Sequence, residues 1–302
     1  MRRYIIRKFI WILIVILLVS PSFAQIYGAF ASTGPYVSPD VRALGMGNAF
    51  CAFEGEIVGL FFNPASIAKL SNSQFNITYG YSPLSLENFG FGTSMYFSSY
   101  DLTFAVPDFG LWSSGVLFAS LSPSEDLGVL YKENQLGYIM AKSLDFIGIK
   151  GVSLGVSLKR YWVDLPSPYR AEGWGLDLGI LLRLFSSFKL GFSAQNLLSN
   201  IDWYNGESNT KEALSTNFKF GIAYQSKKLN VAFDLDFPSL YPHVGMEYSF
   251  DPILFRLGWN IDSPTIGFGF RSPDGKWRID YALLYSLGIG GVSHKVGMLM
   301  NF

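Results

Sequence analysis

The chain has 302 residues, 49% of them apolar and 15% charged, against about 25% charged in an average soluble domain. Its 23 Lys plus Arg balance its 23 Asp plus Glu, which excludes a basic nucleic-acid surface, and two histidines with a single cysteine, Cys51, exclude a metal cluster and an internal disulfide framework. After residue 19 no run reaches the roughly 18 apolar residues of a spanning helix, so the apolar side chains are dispersed, and 31 glycines with 17% aromatics favour β-structure with tight turns.

Residues 1–24 read as an export signal. Arg2, Arg3, Arg7 and Lys8 form a basic start, Phe9 to Val19 is an unbroken apolar run, and Ser22-Phe23-Ala24 supplies small residues for cleavage. Cleavage after Ala24 would remove four positive charges and leave 19 basic against 23 acidic residues.

Residues 25–72 do not alternate. They contain Arg42-Ala43-Leu44-Gly45-Met46-Gly47-Asn48-Ala49-Phe50 and then Phe62-Asn63-Pro64-Ala65. Gly45 and Gly47 on either side of Met46 permit close backbone approach, and Pro64 restricts Asn63 to extended geometry. A compact irregular unit this apolar needs cover, and the lumen of a wide barrel would supply it.

From Gln74 onward the side chains alternate with period two. In 174–184 the even positions are Trp174, Leu176, Leu178, Ile180, Leu182 and Leu184, whereas Gly175, Asp177, Gly179, Leu181 and Arg183 are odd; 188–194, 229–237 and 277–285 split the same way. A soluble sandwich also alternates. Three features favour a transmembrane barrel: apolar faces of about nine to eleven residues with Trp or Tyr near an end, opposite faces of Gly, Ser and mixed charge, and a last strand ending in Phe302. A C-terminal aromatic on an alternating strand resembles the signal by which barrel assembly machinery recognises outer-membrane barrels. Segmentation predicts fourteen strands: 74–81, 93–106, 111–120, 134–144, 149–160, 173–184, 187–195, 217–225, 228–237, 242–250, 253–260, 265–271, 276–285 and 292–302. Connections after even strands are short, and 121–133, 161–172 and 196–216 are the long ones. The expected fold is therefore all-β, an antiparallel transmembrane barrel of residues 73–302 with residues 25–72 as an N-terminal hatch in its lumen.

The pattern of residues 42–50 followed by Asn63-Pro64-Ala65 resembles the N-terminus of PorV/PorQ-type outer-membrane proteins, relatives of the FadL/TodX fatty acid and hydrocarbon transporters. The resemblance implies a fourteen-stranded barrel plugged by a hatch that the Asn-Pro-Ala motif closes before the first strand. Its hatch motif falls here on Arg42, Gly45, Met46, Gly47, Asn63, Pro64 and Ala65.

No enzyme or cofactor is expected. Gly151-Val152-Ser153-Leu154-Gly155 matches a nucleophile-elbow pattern, but it lies inside a predicted strand and not on a strained strand-to-helix turn. His243 and His294 have no serine partner in sequence, and Cys51 reads as a buried filler. Inward charges, among them Asp177, Arg183, Lys189, Lys219, Asp234, Asp236, Glu247, Arg256, Arg271, Arg278 and Asp280, mix both signs and read as lumen ion pairs and hatch ties rather than a charge-selective filter. Trp162, Tyr169, Trp203 and Tyr204 fall in the longest predicted external loops and are the candidates for touching a ligand or partner, with an aromatic girdle as the alternative. The expected function is transport of small hydrophobic molecules across the outer membrane; the alternative is a PorV-like scaffold for secretion or surface attachment. The expected partners are membrane lipid, the barrel assembly machinery, and either a hydrophobic small molecule or an exported protein.

Overall fold

A computed structural model describes residues 40–85, 94–123, 131–287 and 291–302. The expected signal peptide and residues 25–39 lie outside them.

Antiparallel strands close into a barrel. They are β1 (Gln74–Ser85), β2 (Ser94–Val106), β3 (Ser113–Pro123), β4 (Lys132–Ser143), β5 (Val152–Asp164), β6 (Arg170–Arg183), β7 (Phe188–Tyr204), β8 (Asn209–Ala213), β9 (Asn217–Gln225), β10 (Leu229–Phe237), β11 (Tyr241–Phe250), β12 (Ile253–Asn260), β13 (Ser263–Arg271), β14 (Trp277–Tyr285) and β15 (Val292–Asn301). Apart from β8 and β9, which both pair with β7, each strand pairs with its sequence neighbours, and β1 pairs with β15 to complete the ring, Gln74 opposite Asn301 and Tyr81 opposite His294. The short β8 and β9 descend as one stave, β8 pairing with the upper half of β7 and β9 with its lower half, so the wall has fourteen staves.

Period-two alternation places small or charged residues inward and large apolar ones outward. On β5, Ser153 and Ser157 are buried in the lumen while Leu154 and Leu158 are exposed outside, which excludes a strained serine elbow at the Gly151–Gly155 motif. Ile77, Phe104, Val116, Leu178, Ile222, Leu257, Phe268 and Ile279 continue the exposed apolar surface around the ring. An apolar belt on that scale is matched by hydrocarbon rather than water.

Nine of the fourteen predicted strands agree with the observed ones to within two residues at both ends. The main difference is at the end far from the chain termini. Residues 161–172 and 196–216, expected as long loops, are largely strand: β5 runs to Asp164, β6 begins at Arg170, and β7 continues to Tyr204. Two one-residue register shifts in the β6–β7 ladder carry β7 past the position where its alternation breaks, with Asn196 and Leu198 in left-handed backbone at φ 57° and 52°.

Residues 40–70 lie inside the barrel. Val41–Gly45 forms a short helix, α1, whose N-cap Asp40 accepts a hydrogen bond from the Ala43 amide. Two 3₁₀ turns follow, η1 (Ile57–Phe61) and η2 (Pro64–Lys69), the second capped by Asn63 with Pro64 at its first position. Met46, Phe50, Phe53, Ile57, Val58, Leu60 and Ile67 form its buried core, with Leu117, Ile139 and Leu181 of the wall.

Candidate functional site

At several points the backbone of the inner segment lies directly on the wall. Three pairs of glycines face each other across adjacent strands: Gly155 and Gly179 on β5–β6, Gly191 and Gly221 on β7–β9, and Gly245 and Gly258 on β11–β12. Each pair receives a piece of the inner segment. A Cβ on Gly155 would stand 2.3 Å from the Ala65 nitrogen, one on Gly179 2.1 Å from Asn63 Oδ1, one on Gly191 2.2 Å from the Cys51 carbonyl oxygen and one on Gly245 2.2 Å from the Met46 carbonyl oxygen. Gly47, at φ 61°, fits against the Val244 and Trp259 backbone, where a Cβ would meet atoms at 2.4–2.5 Å.

Asn63 is fully buried and bonds on both sides of this contact. Its Nδ2 donates to the Cys51 carbonyl at 2.8 Å and to the Ile180 carbonyl of β6 at 3.1 Å, while its Oδ1 accepts from the Ala65 amide at 3.0 Å. Pro64 starts the turn, and the Pro64–Ala65 peptide lies in the space that Gly155 of β5 leaves open. The structure thus brings Asn63, Pro64 and Ala65 together at one glycine pair and Met46 and Gly47 at another, with Gly45 beside Gly267.

Arg42 enters a buried ladder of alternating charge. It bonds Glu56 at 2.8 Å and Glu247 of β11 through Nε and Nη2 at 2.8 and 2.7 Å. Glu247 accepts from Arg256 of β12 at 2.6 Å; Arg256 reaches Asp280 of β14 at 2.8 Å, which pairs with Arg278 at 2.6 Å. Three guanidinium groups and three carboxylates alternate, so the ladder is neutral. Burial opposes the Arg42 charge, but Glu247 and Glu56 outweigh it and hold its pKa above the ordinary value. Its guanidinium also covers the Phe50 and Phe53 rings at 5.3 and 5.5 Å.

Further ties fasten the segment. Asp234 of β10 accepts from the Phe50 and Cys51 amides, both at 2.8 Å, and Arg183 of β6 donates to Glu54 at 2.6 Å. Lys69 pairs with Asp145 in the turn between β4 and β5. Asn76 of β1 donates to Asp40 at 2.9 Å, and burial lifts the Asp40 carboxyl above its usual range. Burial likewise pushes the Cys51 thiol well up, consistent with a filler rather than a reactive group.

At the far end the inward face changes character. Tyr161 and Val163 of β5, Ala171 of β6, Ile201 of β7 and Leu214 form a separate buried apolar cluster, with Tyr131, Leu165 and Trp203 against it. Below it Lys159 pairs with Asp177, Lys219 with Asp236, and Lys295 with Asp101 at 2.6 Å.

The four aromatics expected in long loops do not converge. Trp162 and Trp203 stand on strands: Trp162 lies outside against Phe118, and Trp203 lies with the inner cluster, its Nε1 donating to Glu212 at 2.9 Å. Tyr204 ends β7 beneath the Arg170 guanidinium, and Tyr169 is exposed in the turn before β6. Tyr161, Val163, Ile201 and the glycine pairs escaped the sequence reading; a shared height on neighbouring strands was their only signal, and it needs the register. His243 is buried, with Nδ1 at 2.8 Å from Asn260 Oδ1, whereas His294 is outside, 2.7 Å from the Tyr281 hydroxyl. Phe302 is exposed at the lower edge, and its amide donates to the Ser73 carbonyl at 2.9 Å.

No protein-family model and no curated protein matches the chain. Solved structures do. The CymD monoaromatic hydrocarbon channel superposes with a TM-score of 0.61 at 13% identity, covering 91% of this chain and 99% of its own. The Ralstonia pickettii toluene transporter TbuX gives 0.60 at 13% identity over 86% and 97%, and a Pseudomonas aeruginosa FadL homologue gives 0.55 at 11% identity over 87% and 96%. The chain has the fold of these FadL/TodX-type proteins, a closed fourteen-stranded barrel.

Proposed function

We propose that the protein is an outer-membrane channel, exported by its N-terminal signal, that passes small, uncharged hydrophobic molecules through a barrel plugged by the inner segment of residues 40–70. The observation that carries this reading is the apolar cluster of Tyr161, Val163, Ala171, Ile201 and Leu214, which lies on the inward face at the far end, apart from the core the inner segment makes with the wall. Ligand sites combine such a lining with a few polar groups, here the Tyr161 hydroxyl bonded to Asn196 at 3.0 Å. Lys159, Lys219 and Lys295 beneath it each face a carboxylate, so the cluster is backed by neutral pairs that favour an uncharged cargo over a fatty acid anion. The fold shared with a toluene transporter and a monoaromatic hydrocarbon channel supports the same class.

The test is uptake of radiolabelled toluene and of palmitate by cells with an intact outer membrane and no channel of their own for either compound. Expression of this chain is expected to raise toluene uptake and leave palmitate unchanged. Equal or absent effects on both would overturn the reading. The PorV-like scaffold role, which rests on the residue 42–65 pattern alone, would gain from a stoichiometric exported protein on the purified barrel.

A further inference from the structure

The apolar belt is not level. At the end near the chain termini, three neighbouring turns carry large exposed apolar side chains: Phe109 (83% exposed), Leu111 and Trp112 between β2 and β3, Phe146 (68%), Ile147 and Ile149 between β4 and β5, and Leu184 and Phe185 (72%) between β6 and β7. On the other side of the ring the turn residues at that end are Ser226-Lys227-Lys228, Asp251-Pro252 and Ser272-Pro273-Asp274-Gly275-Lys276, with Arg271 paired to Asp251; there exposed apolar side chains, Phe250 (74%) and Ile253, stop at the strand ends and do not enter the turn. The far end shows the reverse. Outside β5–β6 the exposed Arg160–Glu172 pair interrupts the belt beside Trp162, whereas Phe237 and Leu240 carry it up to the turn after β10.

A belt that descends on one side and climbs on the other fits a bilayer only when the barrel leans. A two-residue offset, roughly 5 Å along a tilted strand, across a fourteen-stranded barrel roughly 28 Å wide corresponds to a lean of about 10°. We propose that the three apolar turns of the β2–β7 side enter the acyl chains of the adjoining leaflet, while the polar turns of the β9–β14 side stand in water. The occupant is lipid because the turns adjoin the outward apolar surface of β3–β6, which runs through Val116, Leu136, Leu154 and Leu182, with the paired Lys142 as the one charge between them on β4. The charge in the turns is arranged to suit. Asp108 is paired with Lys142 at 2.6 Å, Lys142 lies 5.1 Å above the Phe146 ring, and Asp145 is paired with Lys69, leaving Lys150 to reach the headgroups.

The proposal rests on the barrel's standing in a membrane, and the test separates the two. Nitroxide labels are placed one at a time, in a Cys51→Ala background, at Phe146, Phe185, Lys227, Asp274 and the mid-belt Leu178 and Phe268, in the full chain reconstituted into phosphatidylcholine vesicles. Collision with oxygen is compared with collision with a water-soluble nickel chelate. The expected result is that 146 and 185 behave like 178 and 268, with oxygen favoured severalfold over the values at 227 and 274. Labels at 146 and 185 as open to nickel as those at 274, with 178 and 268 still in lipid, would overturn the lean alone. Nickel access at 178 and 268 would overturn the membrane reading itself. Labels at 146 and 185 wet in vesicles but shielded in native outer-membrane fragments would assign the turns to a protein partner and also overturn the proposal.

Discussion

Arg42 and Glu247 are 205 residues apart and meet through two parallel hydrogen bonds, joining the inner segment to β11 at the head of the charge ladder. Glu247 serves both Arg42 and Arg256, so Glu247→Leu leaves two buried guanidinium groups short of their shared carboxylate. Removing one partner of a buried pair costs about 3–5 kcal/mol. The folded, heat-modifiable form of Glu247→Leu should disappear at a lower urea concentration than wild type, and a larger loss is expected than for Arg160→Leu, whose Glu172 partner is exposed.

Gly179 predicts a second outcome. A valine there would overlap Asn63 Oδ1 and Pro64, so the segment must leave its place on β5–β6. Cys51, buried and bonded into the same region through Asn63, is the reporter. Wild-type protein should resist a water-soluble maleimide at pH 7.5, and Gly179→Val should be labelled; Leu178→Ala, one residue away on the outer face, should stay unlabelled.

The Lys69–Asp145 pair sets a pH response at the lower edge. Lys69, with help from the Gly151 amide, lowers the Asp145 pKa to about 2. A carboxyl depressed in the folded state contributes stability above its ordinary value near 3.9, and that contribution is lost as pH falls toward 2. Lys69→Met should move the Asp145 titration back up toward the ordinary value, read by carbon-13 NMR of aspartate-labelled protein in micelles; an unmoved titration would mean that the pair does not form in solution.

Within the proposed channel, Ile201→Asp places an unpaired carboxylate among Tyr161, Val163 and Leu214. Toluene uptake should fall while barrel yield and heat-modifiability stay near wild type. Unchanged uptake would remove the far-end cluster from the path.

Deletion of Phe302 should lower the amount of assembled barrel in the membrane without altering the melting of the fraction that does assemble. The ring is exposed and only its backbone bonds the first strand region, so it adds little to the finished fold.

Much of the barrel is legible in the chain because alternation is a local signal. Trp174 through Leu184 shows both faces of β6 within eleven residues, and the charges predicted inward, such as Asp177, Lys219 and Asp280, are buried in the lumen. The failures follow from what alternation cannot carry. Asn196 and Leu198 shift the register, so β7 reads as finished nine residues before it ends, and Trp203 is misplaced into a loop. The glycines of β5–β13 are visible singly, but their pairing, and the seating of Asn63 and Met46 between them, depends on which residue of one strand stands opposite which of the next. Arg42 is marked by its motif, whereas its partner Glu247 has no signature beyond an inward position.

The three glycine pairs have an electrical consequence. Where a plug meets its wall through side chains, gaps of a water molecule's width remain and ions can leak through them. Here peptide groups of Met46–Gly47, Cys51–Ala52 and Asn63–Ala65 lie directly on the strands, and the charges around them cancel in pairs. In a voltage-clamped planar bilayer the intact protein should be nearly silent to potassium chloride despite its width, and single-channel steps should appear when Gly155 or Gly245 is given a side chain.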